Sequence, residues 1–467
     1  MENHLQKIGE LVWGWPMMAA FIGVGLLFTV RLRGLQFRKL PLALRCIRTQ
    51  SSGGISPYAA LCTALAATIG TGNIVGVATA LAAGGPGALF WILIAAFFGM
   101  ATQYAEGFLA VKYRKKGKNG WFGGPFCYIE QGLGRRWKWL AVLYASIGAA
   151  VGVLGVGTVT QVNSITGAAD AFFSSEIAFV IGEKGYSWAT VITGAIVTVA
   201  AALVLLGGVS RITNVCQTLV PVMSAAYLLF SAILLIRFAD RIPSAVKLIL
   251  DSAFSPRAVL GGVTGITLKK AMRMGIGRGV FTNEAGLGSS AIAAGVSEER
   301  DPVRQGLVTM TGTFIDTIVI CTVTGLCLVV TGAWNVPVEG VGITDYAWRI
   351  GLPWQESLSS FVLMVCLIFF AFATIIGWNF YAEQCVFYLA GERTRIRTVY
   401  RWLYLLAIAA GPYFTVSAAW ELADILNAVM ALPNLAALLL LQKSILSDTR
   451  RAFRSSKCIR KNNSDIM

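Results

Sequence analysis

Charge is scarce in this chain. Of 467 residues, only 13% are Asp, Glu, Lys or Arg, about half the share of a soluble domain. Histidine is scarcer still. The one copy is His4, which removes histidine-based catalysis and histidine-ligated metals from consideration. The nine cysteines form no CxxC pair and fall mostly inside apolar segments. They read as small core residues, not as a disulfide framework, redox pair or metal site. The first apolar run lacks a basic n-region and is followed by basic residues, the pattern of a retained span and not of a cleaved signal.

What the chain has instead is apolar sequence: 56% hydrophobic residues and a mean hydropathy of +0.67. That excludes a disordered chain and a soluble multidomain enzyme and leaves an all-α polytopic membrane protein. Long unbroken apolar runs also exclude a β-barrel, whose strands alternate apolar and polar residues. The net charge of +16 would suggest nucleic acid in a soluble chain. Here the basic residues sit in short loops between apolar runs, so membrane topology explains them and no nucleic-acid partner is expected.

A bilayer takes about 20 apolar residues per helix. Eleven such spans are expected, near 11–30, 56–83, 88–111, 137–173, 187–207, 210–236, 268–297, 305–333, 358–389, 402–419 and 421–441. Thr49 to Ala105 carries no charge and holds two spans joined by the turn Gly84-Gly85-Pro86-Gly87. With the N-terminus outside and the C-terminus inside, the inner loops collect Arg31, Arg33, Arg38, Lys39, Arg45 and Arg48, then Lys112 through Lys138, Arg393 to Arg401 and the basic tail. Arg211, Arg300 and Arg304 join them, and this asymmetry fixes the orientation.

Two spans carry helix-breaking sequence at mid-membrane. Span two contains Thr68-Ile69-Gly70-Thr71-Gly72-Asn73, where each glycine costs ~1 kcal/mol relative to alanine in a helix. Span seven contains Phe281-Thr282-Asn283-Glu284-Ala285-Gly286-Leu287-Gly288-Ser289-Ser290. Unwound backbone at that depth survives only where it is buried in protein or lines a cavity. With the first span set aside, spans two to six and seven to eleven form two sets of five, each opening on its interrupted helix. An odd number inverts the second set relative to the first, the arrangement of a secondary transporter with its site at the midplane. The resulting division is an accessory helix and basic loop (1–55), a first repeat (56–237), an outer loop (238–267), a second repeat (268–441) and a basic cytoplasmic tail (442–467). Close helix packing is the alternative reading of the glycines, and it suits Gly148, Gly152, Gly155 and Gly157 in span four. It does not account for Asn73 and Glu284.

A broken helix presents free amides at one half-helix start and free carbonyls at the other half's end. The amide end suits a carboxylate, here Thr71 and Gly72. The carbonyl end, Ala66 and Ile69, suits Na⁺. Gln161, in the apolar span four, completes a polar pocket or makes an interhelical hydrogen bond. Thr374 in span nine serves the same pocket or bonds back to its own helix. Trp378, four residues on and so on the same face, limits substrate size or packs against a neighbour. Glu106 and Glu383 sit near inner helix ends and are expected to pair with basic residues. Glu284 and Asp316 lie deeper, where an ionisable group is functional by default. Glu284 pairs with Arg278, serves an amine or cation, or carries a proton.

These residues resemble the alanine or glycine:cation symporters, bacterial amino-acid carrier proteins. The resemblance runs from about Gly53 to Leu441. It is carried by Gly70-Thr71-Gly72-Asn73-Ile74-Val75-Gly76, Ala82-Ala83-Gly84-Gly85-Pro86-Gly87, Tyr104-Ala105-Glu106-Gly107, Gly123-Gly124-Pro125, Ala253-Phe254-Ser255-Pro256, Phe281 to Ser289, Gln305 to Thr309, Gly312 to Thr317 and Gly377-Trp378. It implies a leucine-transporter-type 5+5 inverted repeat with one additional N-terminal helix. It implies import of alanine, glycine or D-alanine with sodium across the bacterial inner membrane, by a monomer in the lipid bilayer, with no cofactor beyond the coupling ion. It places Thr71 and Gly72 at the substrate carboxylate, Phe281 and Thr282 facing substrate, Ala66, Ile69, Ala373 and Thr374 at the sodium site, and Thr68 and Asn73 at a second cation site. The chain departs from the family at Ala373, where serine is usual, at Ser290-Ala291-Ile292-Ala293-Ala294, which lacks a proline and a histidine, and at Asn379-Phe380-Tyr381-Ala382.

The competing expectations are a proton-coupled symporter using Glu284 or Asp316, an ion channel, for which no filter-like repeat is visible, and a membrane enzyme, for which no nucleophile–base pair is present. The site assignment makes a direct prediction. Gly72→Leu fills the pocket and should abolish amino-acid uptake, whereas Thr71→Val keeps the backbone amide and should weaken affinity only modestly. Unchanged transport in Gly72→Leu would refute the placement.

Overall fold

Helix starts follow the capping chemistry of the sequence. Ser56, Ser187 and Asp301 each accept a backbone N–H from the turn they precede (Ala59, 3.1 Å; Thr190, 3.1 Å; Val303, 2.9 Å), and Pro57 and Pro302 open two of those helices. In the computed structural model, residues 13–48, 54–117, 120–173, 175–181, 184–254, 268–391, 393–414 and 416–454 are described. His4, Ser255, Pro256 and the tail after Arg454 lie outside the described residues.

The chain opens with α1 (Trp15–Arg31) and two short helices, Leu35–Arg38 and Leu40–Cys46. Then come α2 (Pro57–Thr68), a π-helical turn (Gly72–Gly76), α3 (Val77–Gly84) and α4 (Gly87–Lys112). A hairpin, β1 (Lys115–Gly117) and β2 (Gly120–Phe122), precedes α5 (Pro125–Gly132), α6 (Lys138–Leu154) and α7 (Val159–Phe173). A second hairpin, β3 (Ile177–Ile181) and β4 (Lys184–Ser187), leads to α8 (Trp188–Leu205), α9 (Gly208–Arg237) and α10 (Ile242–Phe254). The remainder is α11 (Leu268–Asn283), α12 (Ser289–Val296), α13 (Pro302–Thr313), a π-helical stretch (Phe314–Cys321), α14 (Thr322–Thr331), α15 (Val341–Gly351), α16 (Glu356–Ala390), α17 (Thr394–Ala410) and α18 (Val416–Arg454).

Among the described residues, seven helices are long and apolar enough to cross a membrane, or eight when the pair bent by 54° between Thr68 and Gly72 is taken as one span. The two expected breaks are present, and the structure adds a third. Span four is interrupted at residues 155–158, where Thr158 Oγ1 bonds Val153 O at 2.5 Å and Gly155 N–H closes on Val151 O. The run of apolar residues hides this break, because its only mark is the Gly155-Val156-Gly157 triplet. At the far end the helix continues past Leu441 to Arg454. There Lys112 pairs with Asp448 at 2.6 Å and Tyr104 shares a hydrogen bond with Thr449 (2.8 Å).

The core centres on α4, which packs mainly on α13 and α11, and on α16, which packs on α6, α7, α2 and α9. The periphery is marked by α8, where Ile192, Ile196, Val199 and Leu203 are all exposed at helical spacing, an apolar stripe suited to hydrocarbon and not to water. The eight described cysteines are buried and none of them is in a disulfide, as expected of core residues.

Close approach of backbones sets the site's dimensions. A Cβ at Gly377 of α16 would stand 2.5 Å from Ala67 N and 2.9 Å from Ala67 Cβ, so α16 and α2 touch without an intervening side chain. Gly377→Val should therefore wedge these helices apart, lowering stability by ~1–3 kcal/mol as overpacking does. Thermal unfolding of the purified variant in detergent reads this, and an unchanged midpoint would contradict the contact.

Candidate functional site

The first break is built from its own residues. α2 ends as Ile69 turns extended (ψ 92°), and Gly70 and Asn73 close the loop: Gly70 N–H donates to Asn73 Oδ1 (3.0 Å) and Asn73 N–H to Gly70 O (3.2 Å). The helical turn that restarts at Gly72 leaves its leading amides without intrahelical acceptors. Thr374 Oγ1 donates to Phe370 O of its own helix (3.1 Å) and stands 3.4 Å from Ile69 O. Gly70 is glycine for a visible reason. A Cβ there would collide with Thr374 Oγ1 and lie 3.5 Å from Gln161 Oε1. Gly70, Thr374 and Gln161 thus share one small space. Gln161 Oε1 and Thr71 Oγ1 are buried with no hydrogen-bond partner among the described residues.

The second break faces the first. Asn283 ends α11, with its carbonyl held by Gln103 Nε2 at 2.8 Å and its Oδ1 accepting from Ala285 N. Glu284 adopts φ 55°, a left-handed conformation that costs a side-chain-bearing residue ~1–2 kcal/mol, and Gly286 (φ 96°) and Gly288 (φ 79°) continue the loop. Thr282 bonds back to Arg278 O (2.7 Å) and lies against Gly72, where a Cβ would come within 3.3 Å of its Oγ1. Glu284 accepts from Trp378 Nε1 (2.9 Å) and Ser289 Oγ (2.5 Å).

Of the two readings of Trp378, then, its indole N–H is committed to Glu284. Its ring backs onto the third break, since a Cβ at Gly157 would be 2.7 Å from Trp378 Cβ. Tyr404 OH reaches both Gly157 O (2.8 Å) and Ile375 O (2.7 Å), tying that break to α16 and α17.

Two expected pairings are corrected. Glu284 is not bridged to Arg278, whose guanidinium lies 5.5 Å over both the Phe281 and Trp420 rings. Those rings are 5.5 Å apart, so Phe281 is capped by Trp420. Glu106 is not an ion-paired helix end either. It is fully buried, and its Oε1 accepts from Gly286 N (2.9 Å), Gly288 N (3.1 Å) and Asn434 Nδ2 (2.7 Å). Sequence position placed it near the inner loop, but the break's amides come to it and no cation is needed. Glu383 does pair as expected, with Arg401 (2.5 Å) and Arg397 (3.4 Å).

The remaining residues lie close by. Ala66 lies in the last turn of α2 and Ala373 adjoins Thr374, both without exposed surface. Thr68 Oγ1 turns back toward Leu65 O (3.5 Å). Asn73 and Asp316 meet directly: Asn73 Nδ2 donates to Asp316 Oδ1 at 2.8 Å, and Thr317 Oγ1 donates to Asp316 Oδ2 at 2.6 Å. Asn434 and Tyr144 were not anticipated. The one clue to Asn434 was an amide beside Pro433 in an apolar run. Below the site, a cavity of about 680 Å³ is lined by Trp121, Phe122, Val296, Glu298, Gln384 and Arg397. Gln384 shares a face of α16 with Tyr381, Trp378 and Thr374.

Two discontinuous helices meet inside an apolar helical bundle, with the buried carboxylates Glu284 and Asp316 and the unpartnered oxygens of Gln161 and Thr71 beside them, an arrangement of a polytopic membrane transporter and not of an enzyme. In fold, the chain is similar to MhsT in its complex with L-phenylalanine (TM-score 0.58, 12% identity, covering 84% of this chain and 90% of that one). Residues 1–465 match the sodium:alanine symporter family, and the chain belongs to it. Among its relatives, the sodium/alanine symporter AgcS of Methanococcus maripaludis is 39% identical over 470 residues, covering 98% of each chain. An uncharacterised transporter of Haemophilus influenzae is 46% identical over 462 residues, covering 98% of this chain and 97% of that one.

The Trp378–Glu284 bond is testable by itself. Trp378→Phe leaves a buried carboxylate oxygen without its donor and should cost ~1–3 kcal/mol in thermal unfolding. Trp348→Phe is the control, being equally buried with no partner for its Nε1 among the described residues, and should cost less.

Proposed function

We propose that the protein imports a small neutral amino acid, alanine, glycine or D-alanine, together with sodium by alternating access. The observation that carries this reading is the convergence of Ile69, Gly70, Gln161 and Thr374 on one side of the first break and of Thr282 on the other. The Thr71 and Gly72 amides hold the substrate carboxylate. Sodium takes the Ala66 and Ile69 carbonyls and the Thr374 hydroxyl, with a backbone carbonyl or water standing in for the hydroxyl that Ala373 lacks. Gln161, whose amide oxygen is unpartnered, faces the ammonium group. Phe281 under Trp420 closes the outer side, Trp378 limits size, and the cavity at Gln384 receives the released substrate. One N-terminal span followed by ten in two inverted sets of five, N-terminus outside and C-terminus cytoplasmic, in the inner membrane and as a monomer, complete the proposal.

One observation favours a second reading, proton coupling. Glu284 and Asp316 are fully buried with only neutral hydrogen-bond partners. In the sodium reading, Asp316 and Asn73, with the Thr68 carbonyl, form the second cation site. In the proton reading, Asp316 or Glu284 carries the coupled proton.

Uptake of radiolabelled L-alanine into proteoliposomes under an inward gradient of Na⁺, of H⁺, or of neither separates the two. Accumulation with sodium alone is expected, and Thr374→Val should then raise the sodium concentration for half-maximal uptake about 10-fold, the scale of a lost charge-assisted contact of ~1.4 kcal/mol or more. Accumulation driven by protons alone would replace the sodium assignment. None under any gradient, with competition by glycine and D-alanine also absent, would refute the substrate class.

A further inference from the structure

Glu106 is a buried carboxylate for which the chemistry above has no use. It sits within α4 with no exposed surface, and no basic side chain is among its hydrogen-bond partners. Its Oε1 collects three N–H donors, from Gly286, Gly288 and Asn434, and its Oε2 lies 3.5 Å from Ser290 Oγ. Asn434 also donates to Gly286 O (2.9 Å) and accepts from Tyr128 OH, and Tyr144 OH donates to Leu287 O (3.0 Å). The loop Gly286–Gly288 is therefore held from α4, α6 and α18 at once, and Tyr128 of α5 braces Asn434.

An ionised carboxylate suits this place. It accepts only, so it serves three converging donors without presenting a hydrogen that needs its own acceptor, and it lies at the amide end of α12, where negative charge is favoured. The loop needs such a restraint. Glu284 bears a side chain at φ 55°, and a strained conformation of this kind persists only when its surroundings over-determine it.

We propose that Glu106 is a positioning residue of the transport site: it holds the second break in the left-handed loop that sets Thr282 against Gly72 and Glu284 against Trp378. The proposal rests on the transport reading for its kinetic consequence. The holding role itself stands on the geometry. Substrate and cation are bound between the two breaks, so a shift of the second break by a fraction of an ångström changes affinity before it changes turnover.

The test uses the full-length protein in proteoliposomes with Glu106→Gln, Glu106→Asp and, as a surface control, Glu339→Gln at an exposed position. Glu106→Asp draws the carboxylate back by one methylene, and Glu106→Gln keeps the shape but removes the charge. Both are expected to raise the KM for L-alanine about 10-fold or more while the maximal rate changes far less, with Glu339→Gln at the wild-type KM. Hydrogen exchange over residues 281–290 is read in parallel and should quicken in both Glu106 variants. Unchanged KM with only a reduced rate or yield would overturn the proposal. Where the Glu106 variants do not fold, Asn434→Ala, which removes one donor from Oε1 and the hold on Gly286 O, decides by the same two readouts. If the wild type accumulates no alanine under any gradient, the transport reading fails. The exchange data then judge Glu106 alone, and unaltered exchange refutes its role.

Discussion

A peptide group in hydrocarbon has no water to bond to, so every N–H and C=O at membrane depth must find a partner inside the protein. The rest of this structure follows from that constraint. Most of the chain meets it with continuous helix. The two breaks meet it with side chains instead: Asn73 closes the first, and Gln103, Glu106, Asn434 and Tyr144 satisfy the second. At the first opening the oxygens of Gln161 and Thr71 are left without a partner among the described residues, and these are what a ligand can use.

The same constraint explains the small residues. A ligand the size of alanine needs helices that approach backbone to backbone, and Gly377 against Ala67 and Gly70 against Thr374 supply that approach. The third break, at 155–158, brings α7 and its Gln161 close to the first break while Gly157 makes room for Trp378. Loss of any one of these glycines would act on the site from outside it, by moving a helix and not by removing a ligand group.

Rocking between outward and inward states requires elements that are rigid in themselves and joined at few points. The second break suits this use. One half ends on Phe281 against Trp420 and Arg278, and the other leads to the cavity at Val296 and Glu298. Between them the loop is gripped by hydrogen bonds that any movement of α12 against α18 would have to keep or exchange. The first break is gripped differently, by Asn73 bonded to Asp316 across from α2, so the two interrupted helices have separate anchors.

Periodicity and apolar run length in the sequence determined the class of fold, because hydrocarbon admits almost nothing but helix over runs of that length. Glycine and asparagine at mid-span determined where two of the breaks fall, because backbone propensity is local. Thr374 stood out as a hydroxyl in an apolar span, whereas Thr282 beside Gly72 was legible only through a family resemblance, since the two are distant in sequence. Only the tertiary structure decided Glu106 and Glu284. With Glu383 they look alike as isolated charges in apolar sequence, yet one meets backbone amides, one an indole and a hydroxyl, and one two arginines. A carboxylate's role is set by the donors that reach it. Those of Glu383 stand 14 and 18 residues on, within reach of a local reading, whereas those of Glu106 arrive from 180 to 328 residues away, by packing that no local pattern records.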